Sequence, residues 1–123
     1  MLNEELLKAW EQRDGAIVLT TVDNGGMPNS IYVTCIGLSD DKRIVIADNY
    51  FSKTKQNIAL GGKAAVLFIT KEGTSYQVKG DVEYHSSGPI FTWMKGWNPT
   101  KHPGHGAFVL NATEAYSGKN RLM

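Results

Sequence analysis

A lysine and two hydroxyls at the foot of a helix can hold a phosphate. In this chain Ser52-Lys53-Thr54 open what reads as a short helix, directly after the strand-like run Ile44-Val45-Ile46-Ala47 and an Asp48-Asn49-Tyr50 turn. The first N–H groups of a helix lack intrahelical partners and lie at the positive end of its dipole, so an anion can sit against them. Lys53 would add a full charge and Thr54 a hydroxyl donor. The alternative is that Ser52 merely caps the helix and that Lys53 and Lys55 are solvated.

Other residue types with chemistry are few. His102 and His105 lie three apart in Lys101-His102-Pro103-Gly104-His105, and with His85 and Cys35 they exhaust the usual soft metal ligands. A metal would need a third ligand from far along the chain, and a histidine pair in a Pro/Gly loop more often lines a surface. Cys35 falls on the apolar side of its strand and reads as a small core residue, with no basic cluster in sequence to make a thiolate of it. The dinucleotide fingerprint Gly-x-Gly-x-x-Gly, the phosphate loop Gly-x-x-x-x-Gly-Lys-Ser/Thr and a serine nucleophile elbow are all absent.

These residues must be positioned by strands. Ala16 to Val22 is short, β-rich and apolar, and Asp23-Asn24-Gly25-Gly26 follows with hairpin-turn chemistry. Asn29 to Ile36 alternates Ile31, Val33 and Cys35 with Ser30, Tyr32 and Thr34, which gives one apolar and one hydroxyl-bearing face. A third strand spans Arg43 to Asp48, and the Ser52 helix is expected to stop at Gly61-Gly62. Lys63 to Thr70 is nearly all apolar, as in a strand buried on both faces. Ser75 to Tyr84 has a clean period of two, and Gly106 to Ser117 is the last strand, ahead of a polar tail expected to be loosely held. Helices are expected at the N-terminus, where Asn3 caps and Leu2, Leu6, Leu7 and Trp10 share a face, after the third strand, and from Ser87-Gly88-Pro89. Six strands joined by tight turns, with three short helices, predict a mainly β protein, an antiparallel barrel with helical plugs.

Composition bounds the rest. At 123 residues the chain suits a single domain, 1–123. A net charge of +1 with dispersed lysines and arginines disfavours a nucleic-acid partner. A lone cysteine cannot form an internal disulfide, the N-terminus lacks a basic, apolar leader, and no apolar run reaches the ~20 residues of a membrane span. A cytoplasmic protein without a membrane anchor is expected.

Three stretches carry a family resemblance: Asp23-Asn24-Gly25-Gly26-Met27-Pro28-Asn29-Ser30, Ile44-Val45-Ile46-Ala47-Asp48-Asn49, and Ser52-Lys53-Thr54-Lys55-Gln56-Asn57-Ile58. They resemble the split-barrel flavoproteins related to pyridoxamine 5′-phosphate oxidase, in particular the small FMN-binding proteins of sulfate-reducing bacteria. In element order the resemblance covers nearly the whole chain. It implies a split barrel that forms a homodimer with two FMN molecules at the subunit interface. It further implies that Lys53 and Thr54, beside Ser52, grip the phosphate, and that Ser30, Ile31, Tyr32, Val33 and Thr34 with Ala47, Asp48 and Asn49 line the ring and ribityl chain. Trp93 and Trp97 are the local counterparts of aromatics that cover the flavin from the partner subunit. Physical chemistry agrees at several points: a phosphate dianion suits a helix start with Lys53, a ribityl chain suits Ser30, Thr34 and Asn49, and the ring needs a dry slot.

The function implied is flavin redox chemistry, with electron transfer from a redox protein partner that reduces the flavin. A true pyridoxamine phosphate oxidase is disfavoured, since the chain ends at Arg121-Leu122-Met123 without that enzyme's basic substrate-phosphate motif. The rivals are a flavin reductase or small-substrate oxidoreductase with His102, His105 and Trp97 around the ring, and a haem-binding or haem-degrading split barrel that uses a histidine.

Overall fold

Asn3 accepts a hydrogen bond from the Leu6 amide at 3.0 Å and so starts helix α1, Glu4–Glu11. In this computed structural model, which describes residues 2–59 and 62–123, the apolar face of α1 buries Leu6, Ala9 and Trp10, with Trp10 edge-on to Phe68 at 5.3 Å. Burying a side chain the size of Leu6 is worth about 1.5–3 kcal/mol, which a helix of eight residues needs, since alone it would not persist.

The hairpin of β1 (Ile17–Val22) and β2 (Pro28–Val33) is closed as its turn chemistry predicts. The Asp23 carboxylate accepts from the amides of Gly25 and Met27, both at 2.9 Å. A short β3 (Ile36–Leu38), β4 (Ile44–Asp48), helix α2 (Lys53–Ile58), β5 (Lys63–Ile69) and β6 (Ser75–His85) follow. Helix α3 (Pro89–Trp97), β7 (Gly106–Ser117) and β8 (Asn120–Arg121) complete the chain. All pairings are antiparallel, in the order β2-β1-β5-β6-β7-β4-β3, with β8 on β7. The first and last strands of that path are two halves of one kinked stretch, so the sheet curls until its ends meet.

Two glycines make the curl sterically feasible. At the bulge between Lys79 and Gly80 a Cβ on Gly80 would lie 1.9 Å from the Asn111 carbonyl oxygen, and on Gly106 it would lie 2.3 Å from the Tyr84 ring. No side chain fits either contact.

The architecture agrees with the expected mainly β class and three helices, and corrects four details. Eight strands are present among the described residues rather than six. The stretch expected as one strand, Asn29 to Ile36, breaks at Thr34-Cys35, because its first half pairs with β1 and its second with β4. The tail expected to be loose folds back as β8, with Leu122 and Met123 hydrogen-bonded to Ala115 and packed on the core. Strand β5 is buried on one face only: Ala64, Val66 and Phe68 point inward, while Leu67 and Ile69 remain 44% and 45% exposed. The helix stop expected at Gly61-Gly62 lies partly outside the described residues; α2 ends at Ile58, followed by Ala59. No helix among the described residues is long and apolar enough to cross a membrane.

Candidate functional site

The break in the second strand makes room. A cavity of about 310 Å³ lies where β2 gives way to β3, beside the end of β4, and is lined by residues 31–35, 47, 49–51 and 102. Its lining includes the apolar side chains of Ile31, Val33, Ala47 and Phe51, with the polar groups of Thr34, Asn49, Tyr50 and His102 among them. Thr34 belongs to neither the β1–β2 nor the β3–β4 ladder, and Cys35 accepts through its carbonyl from the Ala47 amide at 3.0 Å.

The turn after β4 is held by a buried carboxylate. Asp48 is 2% exposed. It accepts from the Phe51 amide at 3.1 Å, from the Tyr84 hydroxyl at 2.6 Å and from Lys55 at 3.5 Å. Lys55 also donates to the Tyr84 oxygen at 2.8 Å and lies 4.1 Å from the centre of that ring. The bond to Tyr84, with the nearby Asp48 charge, raises the Lys55 pKa. Burial, followed by the bond to Asp48, raises that of Tyr84. A carboxylate taken this far out of water needs such donors to offset its lost hydration.

Asn49, next in the chain, builds the other side of the cavity. Its amide and that of buried Asn98 bond reciprocally, at 2.8 and 3.1 Å, and the Asn49 oxygen also accepts from the Gly104 amide at 3.0 Å. This clasp, helped by a 2.8 Å bond from the His105 amide to the Asp48 carbonyl, fixes the loop between α3 and β7. The loop carries His102 to Tyr50, where Nδ1 lies 3.1 Å from the hydroxyl and the rings meet edge to face at 5.5 Å. Neither residue type nor spacing reveals that pair, since 52 positions separate the two.

The helix start is left more open. Ser52 is exposed and its side chain makes no capping bond, contrary to the plain cap reading. The Lys53 side chain is 48% exposed, with its nitrogen 3.8 Å from the Asp23 carboxylate. Thr54 is buried, and its hydroxyl accepts from the Asn29 side chain at 3.3 Å, tying α2 to β2.

Of the residues singled out from sequence, Ile31, Tyr32, Val33, Thr34, Ala47 and Asn49 line the cavity together. Ser30, Asp48, Ser52, Lys53, Thr54 and Trp97 do not. Ser30 bonds the Thr20 hydroxyl at 2.8 Å on the exposed side of the hairpin. Trp97 meets Trp93 at 5.5 Å and packs over Gly37, and its buried indole N–H has no partner among the described residues. Cys35, expected in the core, is half-buried and lines the cavity, as do Tyr50, Phe51 and His102. His105 is exposed and does not line it. His85 instead pairs with Glu83 at 3.0 Å. Among the described residues no group of three or more His, Cys, Asp or Glu is gathered as a metal would require.

Comparison with known proteins places this geometry. The family model for pyridoxamine 5′-phosphate oxidase matches residues 3–118. The chain belongs to that family. A relative in Methanocaldococcus jannaschii, itself uncharacterized, is 30% identical across 97% of this chain and 82% of its own. Among solved structures, HupZ of Group A Streptococcus superposes with a TM-score of 0.79 at 22% identity, covering 95% of this chain and 94% of that one. An FMN-binding protein from Syntrophomonas wolfei gives 0.71 at 20% identity, covering 81% and 74%. At such identities these two neighbours establish the shared fold. The pyridoxamine 5′-phosphate oxidase family assignment agrees with the resemblance read from the turn, strand and helix-start motifs.

Proposed function

We propose that this member of the family is an FMN-binding redox flavoprotein that works as a cytoplasmic homodimer and transfers electrons, its flavin being reduced by a protein partner. The observation that carries the reading is the cavity at the β2–β3 break, walled by Ile31, Val33, Ala47 and Phe51. Its size and apolar walls fit a flat aromatic ring system, and its polar lining at Thr34, Tyr50 and His102 fits the ring's heteroatoms. Flavin would supply the redox chemistry there, while the chain's residues hold it and exclude water. The cation at the α2 start, Lys53, and the Ser52 hydroxyl, which makes no capping bond, support a phosphate site. Thr54 serves from beneath by tying that start to β2. The unpaired Cys35 suits the cytoplasm.

The homodimer rests on the outer sheet face. Tyr32, Val18 and Leu67 face one another across β2, β1 and β5 by register, and Tyr32, which also borders the cavity, is 78% exposed. A contiguous apolar face of this kind marks an interface, and here a second copy would complete the cavity's outer wall. Trp93, exposed on α3, is the aromatic such a copy has to offer.

Purified protein should be yellow, and the flavin-free form should quench FMN fluorescence on binding. Sedimentation should give a dimer at micromolar concentration, and Leu67→Asp a monomer. A Soret band in place of flavin bands, or a wild-type monomer with flavin bound, would overturn the corresponding half of the reading.

A further inference from the structure

We propose that Tyr50 and His102 form a proton-delivery pair for the ligand in the cavity, an inference that rests on the FMN reading above. Four titratable side chains line the cavity: Tyr32, Cys35, Tyr50 and His102. Tyr50 and His102 are hydrogen-bonded to each other, with 3.1 Å between the phenol oxygen and Nδ1, and either atom can donate. The pair also reaches water, since Tyr50 is 71% exposed while lining the cavity. His102 is half-buried, so solvent meets both members of the pair, and both border the ring's binding place.

The imidazole is pre-positioned. The loop that carries it is clasped by the reciprocal amide bonds of Asn49 and Asn98 and by the Gly104 amide, all buried. A relay needs donor and acceptor held within hydrogen-bond reach before the reaction, and a buried clasp meets that need. Electrons come from the reduced partner protein and the pair supplies the accompanying proton. The Tyr50 O–H bond breaks as its proton passes to the acceptor in the cavity. The phenolate then takes the proton at Nδ1 of His102 as a solvent hydronium delivers one to Nε2, so the ring changes tautomer and the phenol is restored.

The test uses the full chain loaded with FMN and reduced anaerobically by methyl viologen radical, a one-electron donor that carries no proton. Wild-type reduction should be slower in D2O than in H2O. At saturating FMN, Tyr50→Phe and His102→Gln should slow reduction by about 10²-fold and lose the isotope effect. Added imidazole should restore the rate of His102→Ala, which a purely structural role would not allow. Independently of turnover, the ring NMR signals of His102 should move when FMN is added to the flavin-free protein. FMN binding with unchanged reduction rates in both variants, or with unmoved His102 signals, overturns the relay and leaves the FMN reading intact. Failure of the wild type to bind FMN overturns both.

Discussion

Asp48-Asn49 and Ser52-Lys53 sit within six residues of each other and are treated in opposite ways by the fold. The first pair is buried, with both side chains committed to internal partners: Asp48 to Phe51, Tyr84 and Lys55, and Asn49 to Asn98 and Gly104. The second pair is exposed, with one hydroxyl that makes no capping bond and one ammonium group 3.8 Å from a surface carboxylate. The lesson is a division of labour. Polar groups that shape the site must be satisfied from within, because an unmet buried group costs about 1–3 kcal/mol. Polar groups that could hold a ligand must be left unsatisfied by the protein.

Breaking the first pair should do the most damage. Asp48→Ala leaves the Tyr84 hydroxyl and the Phe51 amide without their acceptor and Lys55 without its counter-charge, so it should lower unfolding free energy by about 3 kcal/mol, read by urea denaturation. Breaking the second pair should separate binding from stability. Lys53→Ala should weaken FMN by about one to two decades, the loss of one charge-assisted bond, with riboflavin affinity nearly unchanged. Its urea midpoint should stay close to wild type, since exposed ion pairs contribute roughly 0–1 kcal/mol. If FMN fluorescence quenching gives equal affinities, the phosphate lies elsewhere.

Asn98→Ala tests whether the clasp matters for its own stability or for His102. It strands the Asn49 amide and should cost about 1–2 kcal/mol, with increased amide exchange in the loop between α3 and β7 as the specific sign. A stability loss without loop exchange would mean that Asn98 only fills space. The smallest effect is alkaline. The pKa values of both Tyr84 and Lys55 are raised in the fold, so the stability they contribute is fully present below about pH 10 and is lost as pH rises through their folded values. Tyr84→Phe should flatten the decline in urea midpoint between neutral and strongly alkaline pH, and an unchanged decline would assign it to other groups.

Much of this was legible locally. Alternation in Ile31, Tyr32 and Val33, the Asp23-Gly26 turn chemistry and the Asn3 cap each report a conformation set within a few residues, and each is found as read. Residues 31–34, 47 and 49 meet at the cavity because neighbours on one strand stay neighbours in the fold. The break at Thr34-Cys35 left no local trace. The period of two runs straight through it, and the kink arises from pairing with β1 on one side and β4 on the other.

The sequence by itself determined strand and turn types, the helix start that exposes Lys53, and the family, since these rest on local backbone preference and contiguous motifs. Only the tertiary structure decided that His102 rather than His105 lines the cavity, because a buried amide clasp far along the chain sets the loop's course. It also decided that Asp48 is a structural anchor, since Tyr84 and Lys55 reach it from β6 and α2. The open face of β5 belongs with these: an apolar run reads the same whether one face or both are covered, and the sheet's curl leaves Leu67 and Ile69 outside.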